Sequence, residues 1–387
     1  MSLVDPERQR PWSWAAAHMP LLQQTADECG AALHGLSIGV CLHLEPKTAV
    51  LVDTLLALGV EVTATGSPGT TDAATGQALR DAGATIIGTP ADTVAEHAKN
   101  VAAIVGSQPD LLLDNGADLI AEAVRSGIDV LAATEETTSG GIRLRSDAVR
   151  PSFPVIVIND SPLKRLVENE RGVGQSVVQG FMNATNLMLP GLGATVVGYG
   201  PCGKGVADTL AALGSRVTVV EPDPYRALEA VMDGHRVADL EPALVTARAV
   251  FLVSGVADAV PEAAFGLLPD CCVLAGVSHF PEDVDLAALR AASTERQLFS
   301  TRFAELESLR VGGRRITVIN QLHMVNLSAA AGNPIEAMDL GLSLQLRSLA
   351  WLAGGNAEWS GPDAPPDQLD RAVAQGMVEL LTGGCRS

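Results

Sequence analysis

The stretch ATVVGYGPCGKG (194–205) joins an apolar run typical of a buried strand to a run with helical spacing. It places glycines at 198, 200 and 203 in the pattern GxGxxG. In a strand–loop–helix context, the first glycine makes the turn, the second admits a pyrophosphate and the third lets helix and strand pack closely. The free N–H groups that begin such a helix favour phosphate. The stretch therefore predicts a Rossmann fold that binds a dinucleotide.

The next strand-like run, RVTVVE (216–221), indicates which dinucleotide is bound. It ends at Glu221, which lies 221 − 198 = 23 residues after the first glycine. An acid at this position accepts hydrogen bonds from the ribose hydroxyls of NAD and repels the 2′-phosphate of NADP. We therefore expect NAD, with Gly198, Gly200, Cys202, Gly203 and Glu221 in its site, and with Ser254 and Gly255 beside it. A glycine-rich turn in an unrelated α/β domain is the alternative interpretation.

Apolar runs alternate with helical segments along the whole chain, which predicts the α/β class. The first series of strand-like runs comprises residues 36–42, 60–65, 85–89, 111–114, 129–134 and 154–160, and the second comprises 194–200, 216–221, 249–255 and 272–278. A helical stretch around residues 161–190 separates them. We expect a second α/β domain that binds substrate at residues 1–165, completed by about 335–387. The NAD-binding Rossmann domain, a doubly wound parallel sheet, is expected at 180–330, with the active site in the cleft between the two domains.

Composition excludes several classes of function. The chain has 387 residues, with 26 Lys and Arg against 45 Asp and Glu, so its formal charge is −19. Such an acidic protein is repelled by nucleic acid and by anionic membranes. No apolar run reaches membrane-spanning length, and the charged N-terminus is unlike a signal peptide, so we expect a cytoplasmic protein. Six scattered cysteines without CxxC spacing predict reduced thiols rather than disulfides or a metal site.

Seven stretches resemble, in the same order along the chain, the motifs of the S-adenosylhomocysteine hydrolase family. They are HLEPKTA (43–49), DNGADL (114–119), EETTSGG (135–141), NDSPLKRLVENERGVGQS (159–176), GYGPCGKG (198–205), SHF (278–280) and VNLSAAAGNP (325–334). HLExKTA and NDSxxK are most similar to the short bacterial and archaeal branch. The resemblance implies a homo-oligomer, a dimer or a tetramer, that acts on a small nucleoside substrate.

The family's chemistry is a redox cycle on one tightly held NAD. Oxidation of the 3′-hydroxyl to a ketone acidifies C4′–H, and loss of that proton lets the 5′ substituent leave. Water then adds at C5′, and the ketone is reduced again. Each proton step needs a positioned acid or base.

The resemblance also assigns roles to individual residues. It implies that Lys164 lies at the 3′-hydroxyl, that Glu136 holds the ribose hydroxyls, and that His43 and His279 lie near C5′. The remaining assignments are Asn115 and Glu168 as catalytic residues, Thr137, Thr138, Ser139, Asn169 and Asn326 toward NAD, and Glu45, Lys47, Asn159 and Asn333 toward substrate. Taken singly, each has an ordinary structural alternative: a solvated lysine, a core histidine, or glutamates that cap a helix.

The sequence departs from the family at several of these positions. Asn115 stands where the family has a second aspartate near the 5′ position, and an amide cannot accept a proton there. Asn333 replaces the histidine of a Gly-His-Pro motif, Glu168 replaces an aspartate, and Ser278 replaces a glycine. The elements for NAD binding and 3′-oxidation remain, whereas those around the 5′ leaving group and the base are altered.

These departures leave three interpretations. The first is a specialised dehydratase or lyase that forms an unsaturated nucleoside, as expected in pathways of the angustmycin type. The second is an ordinary hydrolase of S-adenosylhomocysteine or S-inosylhomocysteine that tolerates the changes. The third is a catalytically weak NAD-binding regulator, although retention of Lys164, Glu136 and His279 together argues against it.

Overall fold

A computed structural model describes residues 10–67, 71–146, 149–279, 282–355 and 361–383. The chain divides into two compact units. The first consists of Met1–Arg165 and Ile335–Ser387, and the second of Leu166–Pro334. Each unit contains one β-sheet of its own.

The first unit is built on six parallel strands in the order β3-β2-β1-β4-β5-β6. Their bounds are β1 Ser37–Cys41, β2 Glu61–Thr65, β3 Thr85–Ile86, β4 Leu111–Asp114, β5 Ala132–Glu135 and β6 Val155–Val157. Every residue of β4, β5 and β6 is buried. Continuous apolar runs form such strands because helices cover both faces of a parallel sheet.

Helices connect and cover these strands. They are α1 Ser13–Ala17, α2 Pro20–Cys29, α3 Pro46–Ala57, α4 Ala73–Ala82, α5 Val94–Gly106, α6 Asp118–Ser126, α7 Thr138–Leu144 and α8 Pro162–Lys164, with α15 Ile335–Ala353 and α16 Asp367–Leu381 from the C-terminal part. Buried Asp339 of α15 accepts hydrogen bonds from the backbone N–H groups of Leu21 and Leu22. A side chain from the C-terminal part of the chain therefore caps α2 near the N-terminus.

The predicted helical stretch after β6 is irregular. Ser161 begins α8, and its Oγ accepts a hydrogen bond from the backbone N–H of Lys164. The helix then widens to a π-helix over Arg165–Gly172, which contains Glu168 and Asn169. Wide turns of this kind are frequent at functional sites.

The second unit carries an eight-stranded sheet in the order β12-β13-β14-β11-β10-β7-β8-β9. Its strands are β7 Gly193–Val197, β8 Arg216–Val220, β9 Arg236–Val237, β10 Ala249–Leu252, β11 Cys272–Gly276, β12 Ser293–Ser300, β13 Glu305–Val311 and β14 Arg314–Ile319. Its helices are α9 Val173–Thr185, α10 Pro201–Ala212, α11 Pro224–Met232, α12 Leu240–Val245, α13 Leu286–Ala291 and α14 Val325–Ser328.

The fold class predicted from the sequence is confirmed, and the structure contains further strands that the sequence pattern did not indicate. Strands β12 and β13 are antiparallel additions at one edge of the Rossmann sheet. Gly312 and Gly313, with φ of 56° and 81°, form the two-residue turn between β13 and β14. A Gly-Gly pair between alternating runs is a hairpin signal that could have revealed β13 and β14. Within the described ranges, no helix combines the length and apolar character needed to cross a membrane.

Candidate functional site

The carboxyl ends of four neighbouring strands in the first unit carry residues predicted for the site. His43 follows β1, Asn115 follows β4, Glu136 follows β5 and Asn159 follows β6. Because these strands are parallel and adjacent in the order β1-β4-β5-β6, their carboxyl ends form a single edge. Ligands of open α/β sheets bind at this edge.

Lys164, Glu136 and Asn115 form one continuous set of contacts at this edge. Lys164 Nζ lies 3.2 Å from Glu136 Oε1, and Asn115 Nδ2 donates to Glu136 Oε2 at 3.2 Å. All three side chains are at least 90% buried. The amide oxygen of the Asn115 side chain, Oδ1, is buried and has no hydrogen-bond partner among the described residues. Lys164 of the sequence motif is thus a buried amine in contact with Glu136 rather than a solvated side chain.

Two further acids, Asp114 and Glu135, hold the loops that carry Asn115 and Glu136. Glu135 accepts three backbone hydrogen bonds, from Gly116 at 3.0 Å, Ala117 at 2.9 Å and Thr137 at 2.8 Å.

Asp114 accepts from the backbone N–H groups of Asn115 and Ile120, both at 2.9 Å. Burial raises the pKa of Asp114 to about 7 and also raises the pKa of Glu135, to which the Asp114 carboxylate contributes. No local pattern of residues indicates a positioning role for Asp114 or Glu135, because only the fold brings the backbone donors around them.

The fold explains why position 140 of the EETTSGG motif is a glycine. A Cβ at this position would lie 2.2 Å from the Glu135 carboxyl group, so glycine makes room for the acid. The same helix, α7, carries the predicted cofactor residues Thr138 and Ser139, and Thr137 immediately precedes it. Ser139 Oγ is buried without a hydrogen-bond partner within the described ranges.

Glu45 and Lys47, predicted to face substrate, begin helix α3. Glu45 caps the helix by accepting from the Lys47 backbone N–H, and its carboxylate lies 2.7 Å from Lys47 Nζ. Burial, partly offset by Lys47, raises the pKa of Glu45. Both groups closely follow His43 in sequence, at the same strand edge.

In the second unit, the glycine loop has the geometry that the fingerprint predicts. Gly198 has a φ of +98°. A Cβ on Gly203 would lie 2.1 Å from the Gly198 carbonyl oxygen, whereas a Cβ on Gly200 would have no closer neighbour than Arg226 Nη1 at 3.8 Å. Gly203 is therefore required for packing, while Gly200 leaves open space at the start of α10. Cys202 is the second residue of that helix.

Glu221 lies directly after β8 and is held by two backbone groups. Its Oε2 accepts from Tyr199 N–H at 2.7 Å, within the glycine loop, and its Oε1 accepts from Asp223 N–H at 2.9 Å. The carboxylate is thereby fixed beside the loop, where the NAD ribose is expected.

The two departures Glu168 and Asn333 contact each other. Asn333 Nδ2 donates to Glu168 Oε1 at 3.3 Å, and Asn333 Oδ1 accepts from Ser176 Oγ at 3.0 Å. Asn333 thereby links the π-helical segment to α9. Asn169 is buried in the same segment, and the buried Oδ1 of Asn326 has no hydrogen-bond partner in the described part of the chain.

The last predicted residues of this unit follow β10 and β11. Ser254 donates from Oγ to the buried carboxylate of Asp283 at 2.5 Å, and Gly255 N–H donates to Ser278 Oγ at 3.0 Å. His279 is partly buried and adjoins Ser278. Phe280 of the SHF motif lies outside the described residues.

The residues of the second unit fit NAD. The open space at Gly200 lies at a helix N-terminus suited to a pyrophosphate. Glu221 supplies carboxylate oxygens for ribose hydroxyls, and the orphaned Oδ1 of Asn326 is an acceptor suited to a carboxamide N–H. The second unit therefore offers both an anion-binding loop and the hydrogen-bond acceptors that NAD needs.

Comparison with known proteins also indicates that the second unit binds NAD. A family model described as "S-adenosyl-L-homocysteine hydrolase" matches residues 8–189, and one described as its "NAD binding domain" matches residues 169–332. The S-inosyl-L-homocysteine hydrolase of Methanopyrus kandleri is 36% identical, covering 95% of this chain and 89% of the relative.

Two adenosylhomocysteinases are similarly related. That of Archaeoglobus fulgidus is 35% identical, covering 96% of this chain and 94% of the relative. The adenosylhomocysteinase of Thermotoga maritima is 34% identical, covering 95% of this chain and 93% of the relative. The chain therefore belongs to the S-adenosyl-L-homocysteine hydrolase family and is an NAD-dependent enzyme of that family.

Proposed function

We propose that the protein is a nucleoside dehydratase: it oxidises C3′, removes the C4′ proton, expels the 5′-hydroxyl as water and reduces C3′ again. The product keeps a double bond at C4′–C5′ and is lighter by one water molecule. NAD, when bound, supplies the reversible oxidation at C3′, so no external oxidant or reductant is consumed. The single observation that carries this proposal is the environment of Asn115.

Asn115 occupies the position where the family has a carboxylate, 3.2 Å from Glu136. Two carboxylates at that separation share a proton, because both cannot be ionised at once. Such a pair can give a proton to, or take one from, the 5′ position. Asn115 instead donates an N–H that it cannot release, so Glu136 stays a fixed acceptor for sugar hydroxyls. The loss of this proton-carrying pair slows exchange of water at C5′ in both directions, and therefore favours reduction of the unsaturated ketone over readdition of water to it.

Other residues are assigned to the remaining steps. Lys164, as the neutral amine, takes the proton of the 3′-hydroxyl as C3′ is oxidised, while one of its own N–H groups donates to Glu136. The leaving 5′-hydroxyl needs one proton, because hydroxide is a poorer leaving group than a thiolate. A histidine is the acid that the resemblance implies for this step, with His43 and His279 as the two candidates. Glu168, the further catalytic residue that the resemblance implies, accepts a hydrogen bond from Asn333 Nδ2 in the π-helical segment.

Lys164→Ala tests the oxidation step. Addition of nucleoside to the unsubstituted holoenzyme should produce the near-ultraviolet absorbance of the reduced cofactor. Lys164→Ala should slow its appearance by about 10²–10⁴-fold, the usual contribution of a general base. Lys99→Ala is the matched control, since Lys99 is exposed on α5. Normal cofactor reduction by Lys164→Ala would show that the lysine has another role.

Asn115→Asp tests the fate of the 5′ position. Mass spectrometry of products from free nucleosides should show loss of one water with the unsubstituted enzyme. Asn115→Asp should leave cofactor reduction nearly intact and lower accumulation of the unsaturated nucleoside, because water is added back. An unchanged product profile and rate would remove the basis of the proposal.

Hydrolysis of S-adenosylhomocysteine or S-inosylhomocysteine is the second candidate, favoured by the names of the relatives. The assay for it is release of homocysteine thiol from each compound. If the unsubstituted enzyme releases thiol and forms no dehydrated nucleoside, this candidate replaces the dehydratase, and Asn115→Asp should then raise turnover. Cofactor binding without either product would favour an NAD-binding regulator.

A further inference from the structure

Cys41, His97 and Asp118 form a cluster that the proposed reaction does not use. One potential ligand atom from each lies within 4.8 Å of the others. Cys41 ends β1, His97 lies in the first turns of α5, and Asp118 begins α6. The three residues are far apart in sequence and match no metal-binding spacing, so the sequence alone predicts no such site.

Two members of the cluster, His97 and Asp118, contact each other directly. His97 Nε2 lies 3.2 Å from Asp118 Oδ2, while Arg143 donates to the other oxygen, Oδ1, at 2.6 Å. Arg143 therefore fixes the Asp118 carboxylate with Oδ2 facing His97. His97 Nδ1 is buried and has no hydrogen-bond partner among the described residues.

Acidic side chains surround Cys41. Asp114, Asp118 and Glu135 are all close enough to the fully buried Cys41 thiol to act on it electrostatically, and Arg143 donates to Asp118.

We propose that Cys41, His97 and Asp118 form a binding site for a thiophilic divalent cation of the Zn²⁺ type. Thiolate, imidazole and carboxylate are the ligands that zinc prefers, at about 2.0–2.3 Å from the metal. Tetrahedral coordination then requires ligand atoms about 3.3–3.8 Å apart, so the cluster must contract by about 1–1.5 Å at most. On binding, the Cys41 S–H bond breaks, its proton goes to solvent, and water completes the coordination.

Such an ion would join three elements of the first unit: β1, α5 and α6. Because it binds the folded state and its three ligands are far apart in sequence, it should raise the thermal stability of the protein. Although Asp118 closely follows Asn115 in sequence, the site shares no side chain with the Lys164–Glu136–Asn115 contacts.

Metal binding to the NAD-loaded protein tests the proposal. Chelator-treated protein is dialysed against ZnCl₂ and the bound zinc is counted, and CoCl₂ is used separately as a spectroscopic probe. The unsubstituted protein should bind one equivalent and show a thiolate-to-cobalt charge-transfer band. Cys41→Ser should lose the band and bind zinc at least about 100-fold more weakly, since even an outer-shell change costs 10–100-fold.

Cys29→Ser is the matched control, because Cys29 is a half-buried thiol of the same unit that bonds to the Thr25 carbonyl. It should behave like the unsubstituted protein. His97→Gln is the second ligand variant and should weaken zinc binding while keeping a shifted cobalt band. The proposal is overturned if the unsubstituted protein shows no thiolate band or if Cys41→Ser binds zinc like Cys29→Ser. Should Cys41→Ser fail to fold, an unaltered affinity and spectrum in His97→Gln overturn it equally.

Discussion

Adding one methyl group at Gly203 should separate the packing role of the glycine loop from its ligand-binding role. In Gly203→Ala, the new Cβ would lie 2.1 Å from the carbonyl oxygen of Gly198 and 2.9 Å from its carbonyl carbon. Both are backbone atoms and cannot rotate away. Ordinary contact begins at 3.4 Å, so helix α10 or the loop must move by the difference between 2.1 Å and 3.4 Å.

The size of the effect follows from that displacement. Overpacking a well-packed interior costs about 1–3 kcal/mol, and rigid backbone on both sides argues for the upper end. We therefore expect Gly203→Ala to lower the free energy of unfolding by about 3 kcal/mol. In Gly200→Ala, the Cβ meets nothing closer than 3.8 Å, and the φ of −68° suits alanine. Its stability without nucleotide should change by no more than about 0.5 kcal/mol.

The two variants should nevertheless share one defect. Both should lose NAD, Gly203→Ala because the loop moves and Gly200→Ala because its Cβ occupies the approach of the pyrophosphate. Urea unfolding of nucleotide-free protein measures the first property, and extraction of bound nucleotide from purified protein measures the second. Equal stability of the two variants, or normal NAD content in Gly200→Ala, would refute the assignment of separate roles.

Three other substitutions give equally direct tests. Glu135→Ala should lower the free energy of unfolding by about 3 kcal/mol, because two buried N–H groups and one half-buried N–H group lose their acceptor, at about 1–3 kcal/mol for each buried group. A urea midpoint equal to the native one would contradict this. Burial raises the pKa of Asp339 to about 6 from 3.8. Above pH 6 the ionised carboxylate therefore lowers the stability of the folded state, and protonation of Asp339 restores that stability as the pH falls. Relative to Asp339→Asn, the native protein should therefore gain about 1 kcal/mol of stability between pH 7 and pH 5, and parallel pH profiles in urea would argue against it. Glu221→Gln should reduce the preference for NAD over NADP by about tenfold or more, because both a charged acceptor for the NAD ribose and a like-charge repulsion of the NADP phosphate are lost. Calorimetric titration with each nucleotide measures the ratio of the two dissociation constants. An unchanged ratio would reject the role of Glu221.

The sequence by itself determined the α/β class, the location of the NAD loop and the resemblance to one family. These inferences rest on patterns contained in short segments: apolar runs of strand length, a GxGxxG between strand and helix, and an acid at the end of the next strand. Gly198, Gly203 and Glu221 are informative on their own because the backbone conformations and contacts that they require arise within a single strand–helix–strand segment.

The tertiary structure alone decided which groups meet. Asn333 contacts Glu168 although most of the second unit separates them in sequence, and Asp339 caps Leu21 and Leu22 from the other end of the chain. The sequence around Glu135 is typical of an acid that caps a helix. In the structure, parallel pairing of β4 with β5 instead places the backbone N–H groups of residues 116 and 117 against its carboxylate. The order and register of strands in a sheet depend on the simultaneous burial of distant segments, so no local pattern of residues encodes these contacts.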